Sequence, residues 1–234
     1  MSTAEWVGEP VGEQEATRRS ETTEVRLQGT FSEVFTDALR GMPTSVRGIH
    51  AEEQALPVHD WLRDATVSDR VLLRHCRGAT IDVGCGPGRM SAHLARLGHA
   101  VLAVDIVHEA VHQARRRGVP ALRRNVFDDM PGEGRWDTIL LADGNIGIGG
   151  DPAALIERAM ELVQEDGRVV VDLAPPGTGL RRHRARIVSR GRHSSSFPWA
   201  EVGVDAVAEL AARSGVRVDR VREHHGRWFA VLVR

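Results

Sequence analysis

The sequence predicts an α/β chain: a doubly wound, seven-stranded sheet with one antiparallel strand in a C-terminal hairpin, and helices on both faces. Three observations carry this reading. From Gly78 onward, apolar runs of strand length alternate with stretches whose apolar residues recur at helical spacing. The run Thr80-Ile81-Asp82-Val83 passes directly into Gly84-Cys85-Gly86-Pro87-Gly88 and then into a helical pattern. That order of strand, glycine loop and helix is how open α/β sheets build ligand sites at strand ends. The last two runs, Val216–Arg222 and Trp228–Val233, are separated only by a turn around Gly226, so they pair antiparallel.

Composition bounds the rest. A chain of 234 residues can bury one sizeable core but not two large ones. The formal net charge of -1 gives no global field favouring nucleic acid or membrane. All 31 basic residues are Arg, so a single Arg says little by itself. Cys76 and Cys85, the only cysteines, have neither metal-ligand spacing nor the pattern of a disulfide framework, and no metal is expected. There is no apolar run of membrane length and no signal-peptide pattern, so a soluble, cytoplasmic protein is expected.

In order, residues 1–28 read as a polar, disordered leader. Residues 29–77 read as an N-terminal helical cap. Phe31, Val34, Phe35, Ala38 and Leu39 lie at helical spacing, stopped by Gly41 and Pro43. A second helix is expected within 49–64, interrupted by Pro57, and a third is capped by Ser68 or Asp69. Residues 78–234 form the main domain. After the first strand, Met90, Leu94 and Leu97 mark a helix, and Ala100–Val104 is a fully apolar second strand ending in Asp105. A helix through Ala110, Val111 and Ala114 leads to a weaker third strand, Ala121–Val126. The fourth, Trp136–Ala142, enters a polar glycine-rich stretch from Asp143 to Gly150. Asp151-Pro152 starts the next helix, and Asp166-Gly167 turns into strand Arg168–Leu173. A basic insertion at about 175–200 precedes helix 204–214 and the hairpin.

The glycine loop decides the ligand. A dinucleotide fingerprint spaces its glycines G-x-G-x-x-G, but here Arg89 stands where the third glycine would be. Pro87 also removes one N–H that a pyrophosphate could use. Instead Asp82-Val-Gly-Cys-Gly-Pro-Gly88 resembles the first motif of class I S-adenosylmethionine-dependent methyltransferases. The resemblance extends through Asp105, the Asn125–Pro131 segment, the fourth strand and the hairpin.

That resemblance implies a Rossmann-like methyltransferase domain binding S-adenosylmethionine. Gly84, Cys85 and Gly86 would pack on its amino-acid portion, with Cys85 simply a small residue and Asp82 a negative charge near the ammonium. Asp105 would accept the ribose hydroxyls, and Ile106 would pack on adenine. Asn125 stands where the family commonly has Asp, with the Val126 backbone beside the ring; Asp128 is the alternative register. Ala142, Asp143 and Asn145 would lie beside the methionine moiety. Each residue also has a plainer reading: Asp82 as a strand-end carboxylate satisfied by loop N–H groups, Asp105 as a helix N-cap, Asn145 as part of a surface turn.

Methyl transfer is an in-line displacement that chiefly requires holding the nucleophile close to the methyl carbon and keeping the site dry. A general base is needed only for a poor nucleophile. Asp143, His59 and His183 are the catalytic candidates, with Asp60 and His193 behind them. The stretch Arg181–His193 holds six Arg and two His, and reads either as a binder of an anionic acceptor or as a solvated β-arm. Trp61, Phe197 and Trp199 could wall an apolar acceptor pocket. The expected function is methyl transfer to a small molecule in bacterial specialised metabolism, without membrane or nucleic-acid partners. The alternatives are an RNA or protein methyltransferase docking through the Arg-rich arm, and a non-catalytic cofactor-binding protein.

Overall fold

Apolar runs that alternate between two faces specify a sheet covered on both sides, and the computed structural model has one at its centre. It describes residues 28–234; the expected leader falls almost wholly on residues outside that range. The seven strands of the central sheet are β4 (Thr80–Val83), β5 (Val101–Asp105), β6 (Ala121–Arg123), β7 (Trp136–Leu141), β8 (Val163–Leu173), β12 (Arg217–His224) and β13 (Arg227–Val233). Their order is β12-β13-β8-β7-β4-β5-β6. Strand β13 is antiparallel to both β8 and β12, and the other neighbouring pairs are parallel.

Successive side chains of β7 show the two faces. Ile139 and Leu141 join the layer of α6 (Pro152–Leu162) and α7 (Val207–Arg213), built on Leu155, Ile156, Val207 and Leu210. Leu140 points the other way, among Leu72 and Leu73 of α3 (Val67–Leu73), Met90 and Leu94 of α4 (Arg89–Arg96), and Val111 and Ala114 of α5 (His108–Arg116). Strand β8 follows α6 without the expected turn; Asp166 and Gly167 lie inside it.

The largest departure from expectation is a second sheet. The 29–77 segment contains three helices: α1 (Phe31–Leu39), α2 (Val58–Leu62) and α3. It is not a helical cap alone, because β2 (Thr44–Arg47) and β3 (Gln54–Ala55) occupy what reads as helix or loop. Pro57 caps α2 rather than interrupting it, and Thr66, not Ser68 or Asp69, caps α3 through a capping box with Asp69. Strand β2 pairs antiparallel with β9 (Leu180–Ser189) from the basic insertion, and β9 also pairs with β10 (Arg192–Ser194) and β11 (Phe197–Val202). Strand β1 (Gln28–Gly29) completes this sheet beside β10. The physical reason is alternation: Ala185, Ile187 and Ser189 turn inward while Arg184 and Arg186 face solvent, a half-buried strand inside an Arg-rich run. Two segments more than 130 residues apart, Thr44–Arg47 and Arg186–Ser189, thus make one roof.

Strand β13 is fastened by Phe229, 1% exposed and packed near the His75 ring. Phe229→Ala should destabilise the chain by about 4 kcal/mol, read as a lowered urea midpoint at unchanged slope.

Candidate active site

The glycine loop after β4 is shaped by close approach. A Cβ on Gly84 would lie 2.7 Å from the Asn145 amide nitrogen, and one on Gly88 2.8 Å from the Ala114 Cβ, so both must be glycine. Gly86 has open space where a Cβ would be, and its N–H donates to Asp105 Oδ2 at 3.0 Å. Asp105 Oδ1 accepts from the Val107 N–H at 2.8 Å. The carboxylate therefore organises both the loop and the start of α5, and each oxygen keeps a second lone pair. Burial raises its pKa despite these donors. Asn145 Nδ2 donates to the carbonyls of Val83, at 2.8 Å, and Gly84, at 3.0 Å, tying the β7 loop to the glycine loop.

Behind the loop runs a buried chain of charges. Arg89 is 5% exposed, and its guanidinium bridges Asp69 of α3 and Asp143 after β7, the latter at 2.6 Å. Arg227 of β13 contacts Asp69, Asp143 and Asp172, with Nε 2.8 Å from Asp172 Oδ1. The Asp143 N–H donates to Asp172 Oδ2 at 2.6 Å, and Asp143 adopts a φ of 53°, a left-handed conformation rare outside glycine. Burial would raise the Asp69 pKa, but Arg89, the Thr66 N–H and Arg227 bring it down to about 2.

Asp82 has a different environment. It is 1% exposed and accepts from Ser91 Oγ at 2.5 Å. Burial, together with the negative Asp143 nearby, pushes its pKa up to about 7 against the lowering pull of Ser91 and Arg89. A cation placed beside it would favour the ionised form.

The glycine loop, Asp82, Arg89, Asp105, Asp143 and Asn145 open onto one cleft of about 440 Å³. All eleven residues expected at the cofactor line it: Asp82, Gly84, Cys85, Gly86, Asp105, Ile106, Asn125, Val126, Ala142, Asp143 and Asn145. Asn125 Oδ1 already accepts from the Phe127 N–H at 3.2 Å. Phe127 is a lining residue that sequence reading missed; it and Ile106 are apolar yet 42% and 45% exposed. Arg89 was read only as a departure from a glycine fingerprint, yet it lines the cleft and its Nε is buried without a hydrogen-bond partner among the described residues.

The roof sheet and its helices close the far half, with Phe31, Phe35, Val46, Ile49, Leu56, Trp61, Ile187, Phe197 and Trp199. Trp61, Phe197 and Trp199, considered as acceptor walls, all lie there; the pairing of β2 with β9 that delivers Val46 and Ile187 had no local sequence signal.

Other expected residues lie elsewhere. His59 has a side chain 93% exposed beside Asp60. His183 pairs with Glu201 across β9 and β11 at 2.9 Å. Neither these nor His193 lines the cleft. The arm's arginines are outside it too; Arg182 contacts the Gly150 carbonyl at 3.2 Å. The arm therefore reads as a strand with a solvated Arg face, and the cleft does not place its charges on an acceptor. Among the described residues there is no cluster suited to a metal ion, and no helix is long and apolar enough to cross a membrane.

Known proteins similar to the chain carry methyltransferase names. Residues 80–167 match the family described as "Methyltransferase domain". The chain is 31% identical over 129 residues to a ubiquinone biosynthesis O-methyltransferase of Xylella fastidiosa, covering 52% of this chain and 51% of that protein. It is 30% identical over 154 residues to the protein of that name in Xanthomonas oryzae pv. oryzae, covering 63% and 56%. The chain thus spans about half the length of the curated relatives it matches. In fold it resembles a Bacteroides fragilis SAM-dependent methyltransferase solved with S-adenosyl-L-homocysteine, at TM-score 0.73 and 23% identity over 86% of this chain and 93% of that one. The Burkholderia thailandensis 1,6-didemethyltoxoflavin-N1-methyltransferase aligns at TM-score 0.55 and 17% identity over 98% and 92%.

Two outcomes follow from the buried charges. Arg89→Met leaves Asp69 and Asp143 with Arg227 as their one remaining cation and should cost about 3 kcal/mol in chemical denaturation. Between the usual carboxylate range and about pH 7, the folded chain keeps a proton on Asp82 that the unfolded chain has lost. The Asp82 contribution to stability therefore falls as pH rises through that window and is level above it. Asp82→Asn should remove this fall, seen as divergence of the two urea-midpoint curves between pH 5 and about pH 7; parallel curves would contradict it.

Proposed function

We propose that the chain, whose residues 80–167 match a methyltransferase domain, works as a class I S-adenosylmethionine-dependent methyltransferase and transfers the cofactor's methyl group to a small-molecule acceptor held beneath the roof sheet. The observation that carries the reading is one cleft lined on the floor by the eleven expected residues and on the far side by apolar side chains.

The residues suit the cofactor's parts. Asp105 offers spare lone pairs to the two ribose hydroxyls. Ile106 and Phe127 supply exposed apolar surface for adenine. The bare backbone of Gly84 and Gly86 leaves room for the amino-acid portion, with Asp82 and Asp143 attracting its ammonium. When bound, S-adenosylmethionine supplies an electrophilic methyl on a positively charged sulfur.

The protein's own contribution is orientation and exclusion of water. Every carboxylate lining the cleft is already engaged: Asp82 by Ser91, Asp105 by two loop N–H groups, Asp143 by Arg89 and Arg227. No histidine lines it among the described residues. We therefore assign no general base, and the accepting atom must bring its lone pair free. The relatives' names divide between oxygen and nitrogen as that atom. A macromolecular acceptor on the Arg-rich arm has less support, because the arm's arginines lie outside the cleft.

Calorimetric titration with S-adenosylhomocysteine tests the reading. Asp105→Ala, losing charge-assisted hydrogen bonds, should weaken binding by roughly 10- to 100-fold with the circular dichroism spectrum preserved. Binding of NAD but not S-adenosylhomocysteine would overturn it.

A further inference from the structure

The sequence is poor in aromatic residues, with five Phe, five Trp and no Tyr. Four of those Phe and two of those Trp line this single cleft. Phe127 stands at the floor, and the other five stand at the roof: Phe31, Phe35, Trp61, Phe197 and Trp199. They come from three separate segments, α1, α2 and β11. Phe31 stacks on Phe35 with ring centroids 5.3 Å apart and meets Phe197 edge-on at 4.8 Å. Phe35 in turn lies 5.6 Å from Trp61.

Core packing accounts for only part of this concentration: Phe31 and Phe35 rest on a small cluster of Leu39, Val107 and Ala110, yet both also line the cleft. Among the described residues Phe229 is the one aromatic side chain that is fully buried, whereas each of the five roof aromatics keeps part of its surface accessible. The rings meet by one stacked, one tilted and one edge-on contact, and the surface they keep accessible faces the cleft they line. Their position is also fixed relative to the floor. Ile148, next to the Asn145 turn, forms a backbone bridge with Trp199, and a Cβ on Gly147 would lie 2.0 Å from the Ala200 carbonyl oxygen. Strand β11 is therefore pressed onto the loop assigned to the methionine moiety, and the aromatic wall begins where the methyl group would be presented.

We propose that the acceptor is a planar aromatic molecule, bound by stacking and edge contacts with Phe31, Phe35, Trp61, Phe197 and Trp199. This deepens the reading of the cleft as a methyltransferase site and rests on it. Offset and edge-to-face contacts with several rings favour a flat π-system over a saturated skeleton of equal area. Aromatic walls also fix the plane of the guest, so the accepting atom is aimed without a polar clamp. With no base assigned, an aromatic hydroxyl or ring nitrogen is better suited than an aliphatic alcohol, because its lone pair is available nearer neutral pH.

The test loads the intact chain with S-adenosylhomocysteine and titrates the neutral pairs 2-naphthol, indane and phenol beside decahydro-2-naphthol, octahydroindene and cyclohexanol. Binding is read by ligand-observed NMR, so methyl transfer is not required. The aromatic members should bind about tenfold more tightly than their saturated counterparts. Phe197→Leu should remove most of that preference while the affinity for S-adenosylhomocysteine stays unchanged; Phe31→Leu serves the same purpose if the first variant disturbs the roof. Equal or tighter binding of the saturated compounds overturns the inference, as does binding of S-adenosylhomocysteine with no aromatic member bound. Failure to bind S-adenosylhomocysteine at all instead overturns the cofactor reading beneath it.

Discussion

The floor of the site depends on one buried cation. Arg89 follows the glycine loop and has nowhere to place its charge except between Asp69 and Asp143. Removing a guanidinium from water is unfavourable unless carboxylates meet it, and leaving either carboxylate unpaired would be worse. The arrangement therefore fixes three elements at once: α3 through Asp69, the start of α4 through Arg89, and the loop after β7 through Asp143. Arg227 extends the same chain to β8 and β13. The left-handed backbone of Asp143, a residue that lines the cleft, is held by this network.

Above that floor, a roof is assembled from parts distant in sequence. Strand β9 of the Arg-rich insertion takes β2 of the N-terminal region on one edge and β11 on the other. The cleft lies between the two sheets, with polar loops below and aromatic side chains above. This division matches the two tasks of a methyl transfer site: recognising a charged, hydroxyl-rich donor, and holding an acceptor in a dry space. Burial, with the negative Asp143 nearby, raises the pKa of Asp82 to about 7, and an ammonium placed beside it would favour the ionised form.

The parts of the structure readable from sequence are those specified locally. Glycines at 84, 86 and 88 between a β-branched strand and a helix determine their own loop, and Asp105 lies at the end of the next apolar run. Periodicity likewise reveals where the central strands fall along the chain, and the final hairpin. The roof was not readable because its pairing is long-range. Thr44–Arg47 has no strong pattern, and the alternation of Arg184, Ala185, Arg186 and Ile187 is obscured by the density of arginine. Phe31 and Phe35 fall at i and i+4, which correctly signals a helix face but does not distinguish a core face from a cleft wall. Arg89 likewise carries no mark of its partners, since Asp69 and Asp143 lie 20 and 54 residues away. His59 and His183 show the converse: residue types suited to catalysis, placed by the fold outside the lining of the cleft.

The central claim is that one cleft holds the methyl donor on its floor and an aromatic acceptor under its roof. A crystal structure of the chain with S-adenosylhomocysteine tests it most directly. The account predicts the ribose hydroxyls on Asp105, adenine against Ile106 and Phe127, and the sulfur directed toward the side bounded by Phe31, Trp61 and Phe197. A cofactor whose ribose lies away from Asp105, or whose sulfur faces solvent rather than the aromatic wall, would contradict it.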